Sequence, residues 1–492
     1  MLRNALVVLV LLGALSVSSF AISGAEYRKM ADKAVIEGRY AQAAEYYNNE
    51  AAVYRARGDV NGAKAEEIKA DRWASEVDIF YESHPSPDVY RSYYSGAKHE
   101  PIYGCYLGAF VERDDRIPFQ RASDATPLSR ATGFMELVGK KPATFFDYCI
   151  YGKTYPKKWV DSLVADGVAP HLAYEPHSSL EIINEDDYLV NFAKAAGQTR
   201  APVFIRFAGE MNGDWTRYHS DPVLYRRKFQ LVHDVFQKYA PNAAMIWCVN
   251  HIPEYNIDQY YPGDKYVDWV GINFYSVIYY DNNRNRPAYQ DNPAVFLKYV
   301  YNKYAKRKPI AICEYGASHV AALDGANRSE LAVEKISQMY ASLPRIYPRV
   351  KMIDVFDMNN LKHAMPSRQL NNYSVTEDET VLEAFKRAVA PDYFLTDIIP
   401  QVDEFPALIK RISPGTRLYG TVNLSAWVKT YDRKPTVTYY LDGKPISRVS
   451  QHGTYPCQLQ VSRYGPGKHN ITVTVQDSKS RLSAKKTVPV VF

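Results

Sequence analysis

Two glutamates stand at or near the close of short apolar runs that are typical of buried strands. Glu210 lies near the end of the run that begins at Val203, and Glu314 lies near the end of the run that begins at Ile310. An ionisable side chain in such a place is costly unless it is paired or has a chemical task. We therefore take both glutamates as candidate catalytic residues. The alternative is that each one only forms an ion pair with a neighbouring Arg or Lys.

A matched pair of carboxyl groups is what hydrolysis of a glycosidic bond requires. When one carboxylate attacks the sugar and the other carboxyl protonates the leaving oxygen, the two groups lie about 5 Å apart and the product keeps its anomeric configuration. The pair therefore predicts a retaining glycoside hydrolase, provided that the fold brings Glu210 and Glu314 to one place.

Eight apolar runs alternate with longer amphipathic stretches between about residues 100 and 392, which is the pattern of a parallel sheet covered by helices. So many strands favour an α/β fold of the (β/α)8 barrel type over an open doubly wound sheet. In a barrel, the C-terminal ends of strands four and seven lie across one mouth, where Glu210 and Glu314 would meet. The runs are Gly104–Val111, Thr144–Tyr151, Val168–Glu175, Val203–Met211, Ala244–Asn250, Trp269–Tyr275, Ile310–Tyr315 and Met352–Met358.

The N-terminal residues have the pattern of a secretory signal peptide. Arg3 precedes an apolar run from Ala5 to Leu15, and small residues follow at Ser19 and Ala21. We expect residues 1–21 to be removed and the mature protein to be secreted or associated with the cell surface, without a membrane span. An uncleaved anchor is the alternative.

Residues 25–80 have the composition and the apolar spacing of helices. Gly38 and Ala43 recur twenty residues later as Gly58 and Ala63, and these offsets resemble the packing positions of tetratricopeptide repeats. The segment predicts a short helical hairpin, which either binds a partner or caps the next domain.

The chain after about residue 398 alternates apolar and polar residues, with a hairpin signal at Asp442-Gly443. We predict an antiparallel β-sandwich of immunoglobulin or fibronectin type over residues 398–492. Residues 408–492 hold 14 Lys plus Arg against 3 Asp plus Glu, whereas the whole chain has a net charge of +6. A basic domain on an exported protein suggests contact with an anionic cell-wall polymer. The alternative is a solvated spacer.

Other chemistries lack their residues. The sequence has no HExxH, no GxSxG, no phosphate loop and no GxGxxG that opens a helix. The five cysteines are an odd, sparse set without a CxxC spacing, which argues against disulfides and zinc. We expect no metal and no cofactor, and nucleic acid is a poor fit because the basic charge concentrates behind an export signal. A monomer is expected.

The motifs around the two glutamates resemble those of glycoside hydrolase family 26, whose best-known members are β-mannanases with a β/α barrel. The resemblance spans about residues 100–392 and is most specific at residues 206–215, 261–275 and 313–316. It implies that Glu210 is the acid/base and that Glu314 is the nucleophile.

The resemblance also implies a set of substrate-binding residues. Tyr275 is similar to the tyrosine that positions the nucleophile, and Tyr174-Glu175 is similar to part of a Trp-Glu-Pro stretch that lines the cleft. Tyr218 and His219 are further candidates to line the cleft. The expected substrate-binding set is Arg206, Asn212, Trp215, Tyr275, Glu175, Tyr174, Asn250, Asn273 and His363.

The expected substrate is a β-linked polysaccharide: β-1,4-mannan, or a related β-glycan such as β-xylan or mixed-linkage β-glucan. The sequence departs from the family at Gly209, where the family usually has His, and after the eighth run, where no Trp follows. Two alternatives stay open for that reason. One is a catalytically inactive glycan-binding protein that keeps the barrel, and the other is a cell-envelope assembly protein that works through the helical segment and the basic tail.

Overall fold

The computed structural model describes residues 22–111, 113–117, 128–288, 290–398 and 405–492. The expected signal peptide, residues 1–21, lies outside the described residues. The chain divides into two compact units, Met1–Ala74 and Ser75–Phe492. Among the described residues, no helix is long and apolar enough to cross a membrane.

The helices are α1 (Gly24–Ile36), α2 (Tyr40–Ala56), α3 (Val60–Trp73), α4 (Pro87–Tyr90), α5 (Leu128–Val138), α6 (Lys157–Ala165), α7 (Asp187–Gly197), α8 (Pro222–Tyr239), α9 (Lys298–Tyr304), α10 (Ser329–Ser342), α11 (Asn360–His363) and α12 (Glu379–Val389). The strands are β1 (Glu76–Ser83), β2 (Cys105–Phe110), β3 (Thr144–Ile150), β4 (Ala169–Glu175), β5 (Val203–Phe207), β6 (Ala243–Asn250), β7 (Trp269–Ser276), β8 (Ile310–Ala317), β9 (Val320–Ala321), β10 (Val350–Phe356), β11 (Asn371–Asn372), β12 (Phe394–Leu395), β13 (Leu408–Arg411), β14 (Thr416–Arg417), β15 (Thr421–Lys429), β16 (Thr436–Leu441), β17 (Lys444–Val449), β18 (Tyr455–Gln460), β19 (Lys468–Gln476) and β20 (Leu482–Val491).

The first unit consists of the three helices α1 to α3. Ser23 caps α1 in a reciprocal capping box with Glu26, and Ala43 and Tyr47 pack in a small apolar core. The expected helical segment is too long at its C-terminal end, because α3 ends at Trp73 and residues 76–83 form strand β1. The likeness to tetratricopeptide repeats stays a prediction.

The second unit contains a closed barrel of eight parallel strands in the order β2-β3-β4-β5-β6-β7-β8-β10. The barrel closes where β10 pairs with β2 in parallel, with Met352 opposite Tyr106 and Phe356 opposite Phe110. Each of the eight predicted apolar runs overlaps one of these strands, so the predicted (β/α)8 barrel is confirmed.

The interior of the barrel is packed with side chains from its own strands. Tyr106, Phe204 and Trp269 are fully buried there together with smaller residues, while the outer faces of the strands pack against the surrounding helices. One buried carboxyl group, that of Asp354, lies among them. It accepts a hydrogen bond from Thr144 at 2.8 Å and lies 2.7 Å from Nδ1 of His171, so its desolvation is offset by two partners.

Two sheets of mostly antiparallel strands share one apolar core, and all of their strands except β1 come from the C-terminal residues. One sheet has the order β13-β1-β15-β18 and the other β14-β20-β19-β16-β17. The hairpin expected at Asp442-Gly443 is confirmed: both residues have positive φ, 48° and 81°, as a type I′ turn between β16 and β17 requires. The immunoglobulin or fibronectin type stays a prediction.

Strand β1 comes from before the barrel and pairs with both β13 and β15. The sandwich therefore cannot form from residues 398–492 alone. It packs against the barrel through α10, where Trp427 donates to Ser342 Oγ at 2.8 Å and Arg433 donates to Glu334 at 2.6 Å.

Candidate active site

Glu210 and Glu314 lie at the C-terminal mouth of the barrel. Glu314 belongs to β8, and Asn273 of the neighbouring strand β7 is its partner in register. Glu210 belongs to the turn that follows β5. The amide of Asn273 reaches this second glutamate, since its Nδ2 lies 2.9 Å from Glu210 Oε1. The two glutamates are thus brought to one site.

The turn that carries Glu210 has an uncommon backbone. Ala208 and Glu210 have φ of 47° and 58°, which is the left-handed region that side chains other than glycine seldom adopt. A turn of this kind persists only if its surroundings fix it. Each peptide group in it has a partner: Ala208 N–H with Tyr174 O, Ala208 O with Tyr225 Oη, Gly209 N–H with Glu175 Oε1, Gly209 O with Tyr218 Oη, Glu210 N–H with Cys248 O, and Glu210 O with Gly213 N–H.

The carboxyl group of Glu210 accepts hydrogen bonds from neutral donors. Asn250 Nδ2 and Asn273 Nδ2 donate to Oε1 at 3.0 and 2.9 Å, and Trp215 Nε1 donates to Oε2 at 2.7 Å. Trp215 is 44% exposed. Its indole therefore connects the carboxyl group to the open side of the mouth.

The carboxyl group of Glu314 is held by a cation and two phenols. Arg206 Nη2 lies 2.7 Å from Oε1, Tyr148 donates to Oε1 at 2.9 Å, and Tyr275 donates to Oε2. Burial, and the neighbouring Glu314, raise the pKa of both phenols well above the usual value, so they keep the protons that they donate.

Arg206 links the two sides of the site. Its guanidinium is buried, lies over the ring of Phe146 with 5.1 Å to the ring centroid, and donates from Nη1 to Asn273 Oδ1 at 3.5 Å. A continuous set of contacts therefore runs from Glu210 through Asn273 and Arg206 to Glu314. A fixed guanidinium in such a place holds a carboxylate with geometric specificity.

Glu175, at the end of β4, contacts the turn that carries Glu210. Its Oε1 is 3.3 Å from Gly209 N, its Oε2 is 2.7 Å from Tyr218 Oη, and Arg206 Nε is 4.0 Å away. Burial raises the pKa of Glu175 to about 7, although Arg206, the hydroxyl of Tyr218 and the main-chain N–H of Gly209 act in the opposite direction.

Two expected substrate-binding residues, Tyr174 and Asn212, have their contacts inside the fold. Tyr174 does not line the cleft, because its ring is fully buried and stacks on Phe192 at 4.5 Å between centroids. Asn212 Nδ2 donates to the main-chain oxygens of Asn250, the last residue of β6, and of Pro253, at 2.8 and 3.0 Å. Successive side chains of a strand point to opposite faces of the sheet. Because Glu175 faces the mouth of the barrel, its neighbour Tyr174 faces the surrounding helices.

His363 lies in another cluster, where its Nε2 is 3.4 Å from Asp115 Oδ1. Asp115, His363 and Glu377 each place one ligand atom within 4.8 Å of the others. The ammonium group of Lys362 already lies 2.6 Å from Asp115 and 3.2 Å from Glu377. A side-chain cation thus neutralises the carboxylates that a metal ion would need.

Tyr148, which contacts Glu314, was not among the residues predicted from the sequence. It lies near the end of the predicted second strand, where polar residues face the mouth of a barrel, and this position could have indicated it. Tyr218 was expected only to line the cleft, and its contacts with Glu175 and Gly209 were not predicted. Nothing in the spacing of Tyr218 indicates that its hydroxyl reaches both Glu175 and the main chain of Gly209.

Residues 165–300 match the profile of glycosyl hydrolase family 26, which confirms the family resemblance that the motifs around Glu210 and Tyr275 predicted. The matched segment includes the turn of the acid/base candidate and ends before Glu314.

Two named proteins are similar to parts of this chain. A β-1,3-xylanase from Vibrio sp is 28% identical over 88 residues, which are 17% of this chain and 19% of the xylanase. Endoglucanase H of Acetivibrio thermocellus is 22% identical over 240 residues, which are 45% of this chain and 26% of that protein. The chain thus spans less than a third of the length of these relatives.

Among solved structures, an endo-β-1,4-mannanase double mutant from Cellulomonas fimi is similar with a TM-score of 0.45 and 16% identity, covering 80% of this chain and 95% of that chain. A family 26 β-mannanase from Bacteroides ovatus is similar with a TM-score of 0.41 and 12% identity, covering 60% of this chain and 90% of that chain.

Proposed function

We propose that this protein is a retaining glycoside hydrolase that acts on a β-linked polysaccharide, with Glu314 as the nucleophile and Glu210 as the acid/base. The observation that carries the proposal is the contrast between the two carboxyl groups at the barrel mouth. One is paired with a buried guanidinium, and the other accepts only neutral hydrogen bonds among its described contacts. The family match over residues 165–300 supports the same class of enzyme.

The surroundings of Glu314 suit a nucleophile. The guanidinium of Arg206 places a positive charge beside the carboxyl group, and the phenols of Tyr148 and Tyr275 orient its two oxygens. In the first step, an oxygen of Glu314 attacks the anomeric carbon and forms a covalent glycosyl ester, while the bond to the leaving oxygen breaks.

The surroundings of Glu210 suit a group that changes its protonation state during the reaction. It donates a proton to the leaving oxygen in the first step. It then removes a proton from water, which attacks the anomeric carbon and releases Glu314. Neutral donors tolerate both forms of the carboxyl group better than a cation would, because a cation favours only the ionised form.

The finer identity of the substrate is also part of the proposal. β-1,4-Mannan is the first candidate, and β-xylan and mixed-linkage β-glucan are the others. The half-exposed indole of Trp215 offers a surface on which a sugar ring can stack beside the acid/base.

A panel of these three polymers tests the proposal, with released reducing ends as the readout. We expect one polymer to be hydrolysed and the first product to be the β anomer in proton NMR. An α anomer appearing first would exclude retention, and binding of a polymer without release would favour the catalytically inactive glycan-binding protein. Export belongs to the same proposal, because an extracellular polymer must be reached. The N-terminal sequence of the protein recovered from culture medium tests the expected loss of residues 1–21.

A second candidate function concerns the basic sandwich. On the solvent face of its five-stranded sheet, Arg448, Thr438, Thr474 and Lys485 are successive partners across β17, β16, β19 and β20. This row of four residues crosses three strand spacings, so about 14 Å separates the main chain at Arg448 from that at Lys485. Beside it, an open cavity of about 400 Å³ includes Tyr440. Two cations around a hydroxyl-lined centre fit an anionic cell-wall polysaccharide.

Retention of the full protein on an insoluble anionic wall polysaccharide tests this surface. We expect the double variant Arg448→Gln, Lys485→Gln to elute at lower salt than the wild type. The matched control is Arg463→Gln, Lys479→Gln, which removes the same charge from exposed positions outside the row. Equal elution of both double variants would assign the retention to net charge rather than to this face.

A further inference from the structure

The hydrogen bonds around Gly209 form a closed ring. Glu175 Oε1 lies 3.3 Å from Gly209 N, Tyr218 Oη lies 2.7 Å from Gly209 O, and Tyr218 Oη also lies 2.7 Å from Glu175 Oε2. Gly209 is thus held at both its N–H and its C=O, which belong to the peptide groups on either side of its Cα. Because the second of these peptide groups joins Gly209 to Glu210, the ring fixes the main chain from which the acid/base projects.

The ring requires two hydrogens on its oxygen atoms. The carbonyl oxygen of Gly209 can only accept, and the phenol of Tyr218 has one hydrogen to donate. If the phenol donates to the carbonyl, its contact with Glu175 is a hydrogen bond only when the carboxyl group supplies the second hydrogen. If Glu175 were ionised, the phenol would lie between two acceptors and one contact would be repulsive.

We propose that Glu175 is a neutral carboxylic acid which, together with Tyr218, clamps the Gly209 peptide and thereby holds Glu210 in its left-handed conformation. Both are positioning residues, and the inference rests on the proposed role of Glu210 as the acid/base. The raised pKa of Glu175, about 7, agrees with a carboxyl group that keeps its proton in the folded protein.

The clamp also accounts for glycine at position 209. A Cβ atom there would lie 3.2 Å from Glu175 Oε1 and 3.7 Å from Arg206 Nε. A larger side chain would displace the carboxyl group, so the glycine and the clamp belong together. The groups that face Glu175 are Arg206 from β5, Tyr218 and Glu210 from the following loop, and Tyr225 from α8.

The proton on Glu175 is measured by infrared difference spectroscopy between the wild-type protein and Glu175→Gln. At pH 5.5 we expect the wild type to have an additional carboxylic C=O band above the amide I band, which fades as the pH rises through about 7. A difference at pH 5.5 that contains only carboxylate bands would overturn the proposal. This measurement does not depend on any activity.

Kinetics on the polymer that the panel identifies test the effect on Glu210. Glu175→Ala and Tyr218→Phe open the ring, and we expect kcat to fall about 10-fold to 100-fold because a small misplacement of a catalytic group has effects of that size. Glu175→Gln keeps an acceptor for Gly209 N–H and a donor for Tyr218, so it should rescue most of the turnover that Glu175→Ala loses. Glu181→Gln, at an exposed site in the loop after β4, is the matched control.

Two outcomes separate the clamp from its alternatives. If Glu175→Gln is as slow as Glu175→Ala while both melt like the wild type, the enzyme needs the charge of Glu175 and the neutral clamp is wrong. If the wild type hydrolyses no polymer at all, the proposed function fails, and the infrared band alone decides whether Glu175 is protonated.

Discussion

The two glutamates at the barrel mouth are the same residue type in opposite surroundings. Glu314 lies within strand β8 and is held by Arg206, Tyr148 and Tyr275. Glu210 lies on a strained turn and is held by two amides and an indole. The comparison indicates how one fold gives two carboxyl groups different surroundings: one lies beside a buried cation, and the other accepts hydrogen bonds from neutral donors.

The largest test of this comparison removes each carboxyl group in turn. We expect Glu314→Gln and Glu210→Gln each to lower turnover of the polysaccharide by about 1,000-fold or more. The melting temperature should change little in Glu210→Gln, and it should fall in Glu314→Gln because the buried guanidinium of Arg206 loses its carboxylate partner. The two variants should differ on an aryl β-glycoside with a good leaving group, which needs no protonation. Glu210→Gln should then recover a rapid first step, seen as a burst of released phenol, and Glu314→Gln should not.

Two results would contradict the assignment of roles. Near-wild-type turnover in either variant would remove that residue from the reaction, and a burst in Glu314→Gln would exchange the roles. The control is again Glu181→Gln, which should retain wild-type rates on both substrates because its side chain is exposed away from the mouth.

A second test removes the cation beside Glu314. Arg206→Met leaves the Glu314 carboxyl group buried without its ion pair, and we expect a loss of about 3 to 5 kcal/mol in unfolding free energy together with a large fall in kcat. Urea denaturation and initial rates measure the two effects. Arg307→Met is the matched control, because it removes an exposed ion pair with Asp264 and should cost no more than about 1 kcal/mol. Equal losses in both variants would argue that Arg206 has no special role.

A smaller effect on turnover is expected when a donor to Glu210 is removed. Trp215→Phe removes the indole N–H that donates to Glu210 Oε2 at 2.7 Å and keeps an aromatic ring. We expect kcat to fall about 10-fold, the size of one lost hydrogen bond to a charged group, with little change in stability because the ring is half exposed. Tyr255→Phe, at another exposed aromatic residue, is the control. An unchanged kcat together with a raised KM would reduce Trp215 to a sugar-stacking surface.

The regular part of the molecule could be predicted from the sequence. The eight barrel strands are continuous apolar runs because they are buried on both faces, and the ends of runs four and seven identified both glutamates. The Asp442-Gly443 hairpin was predictable because a type I′ turn needs two positive φ values, which these residues tolerate.

The rest depends on contacts between distant parts of the chain. Strand β1 joins a sheet whose other strands come more than 300 residues later, and no local pattern contains that pairing. Tyr174 and Glu175 are neighbours in the sequence but face opposite sides of β4, so a motif that names both cannot place both in the cleft. Tyr148 and Tyr218 act through single hydroxyl groups whose direction is set by the fold.

The last test concerns a third carboxyl group, that of Glu175, which lies beside the turn that carries Glu210. Its pKa is raised to about 7 in the folded protein, whereas an unfolded Glu titrates near about 4.3. Between these values the folded state holds a proton that the unfolded state has released, so the stability that Glu175 contributes is present at low pH and is lost as the pH rises through about 7. In Glu175→Gln this dependence is absent. The unfolding free energy of the wild type relative to Glu175→Gln should therefore fall between pH 4.5 and 7.5, by about 3 kcal/mol at most, and stay level above. Urea denaturation of both proteins across this range measures it. A difference that rises with pH would mean that Glu175 is held as a carboxylate, and the neutral clamp beside Glu210 would then be wrong.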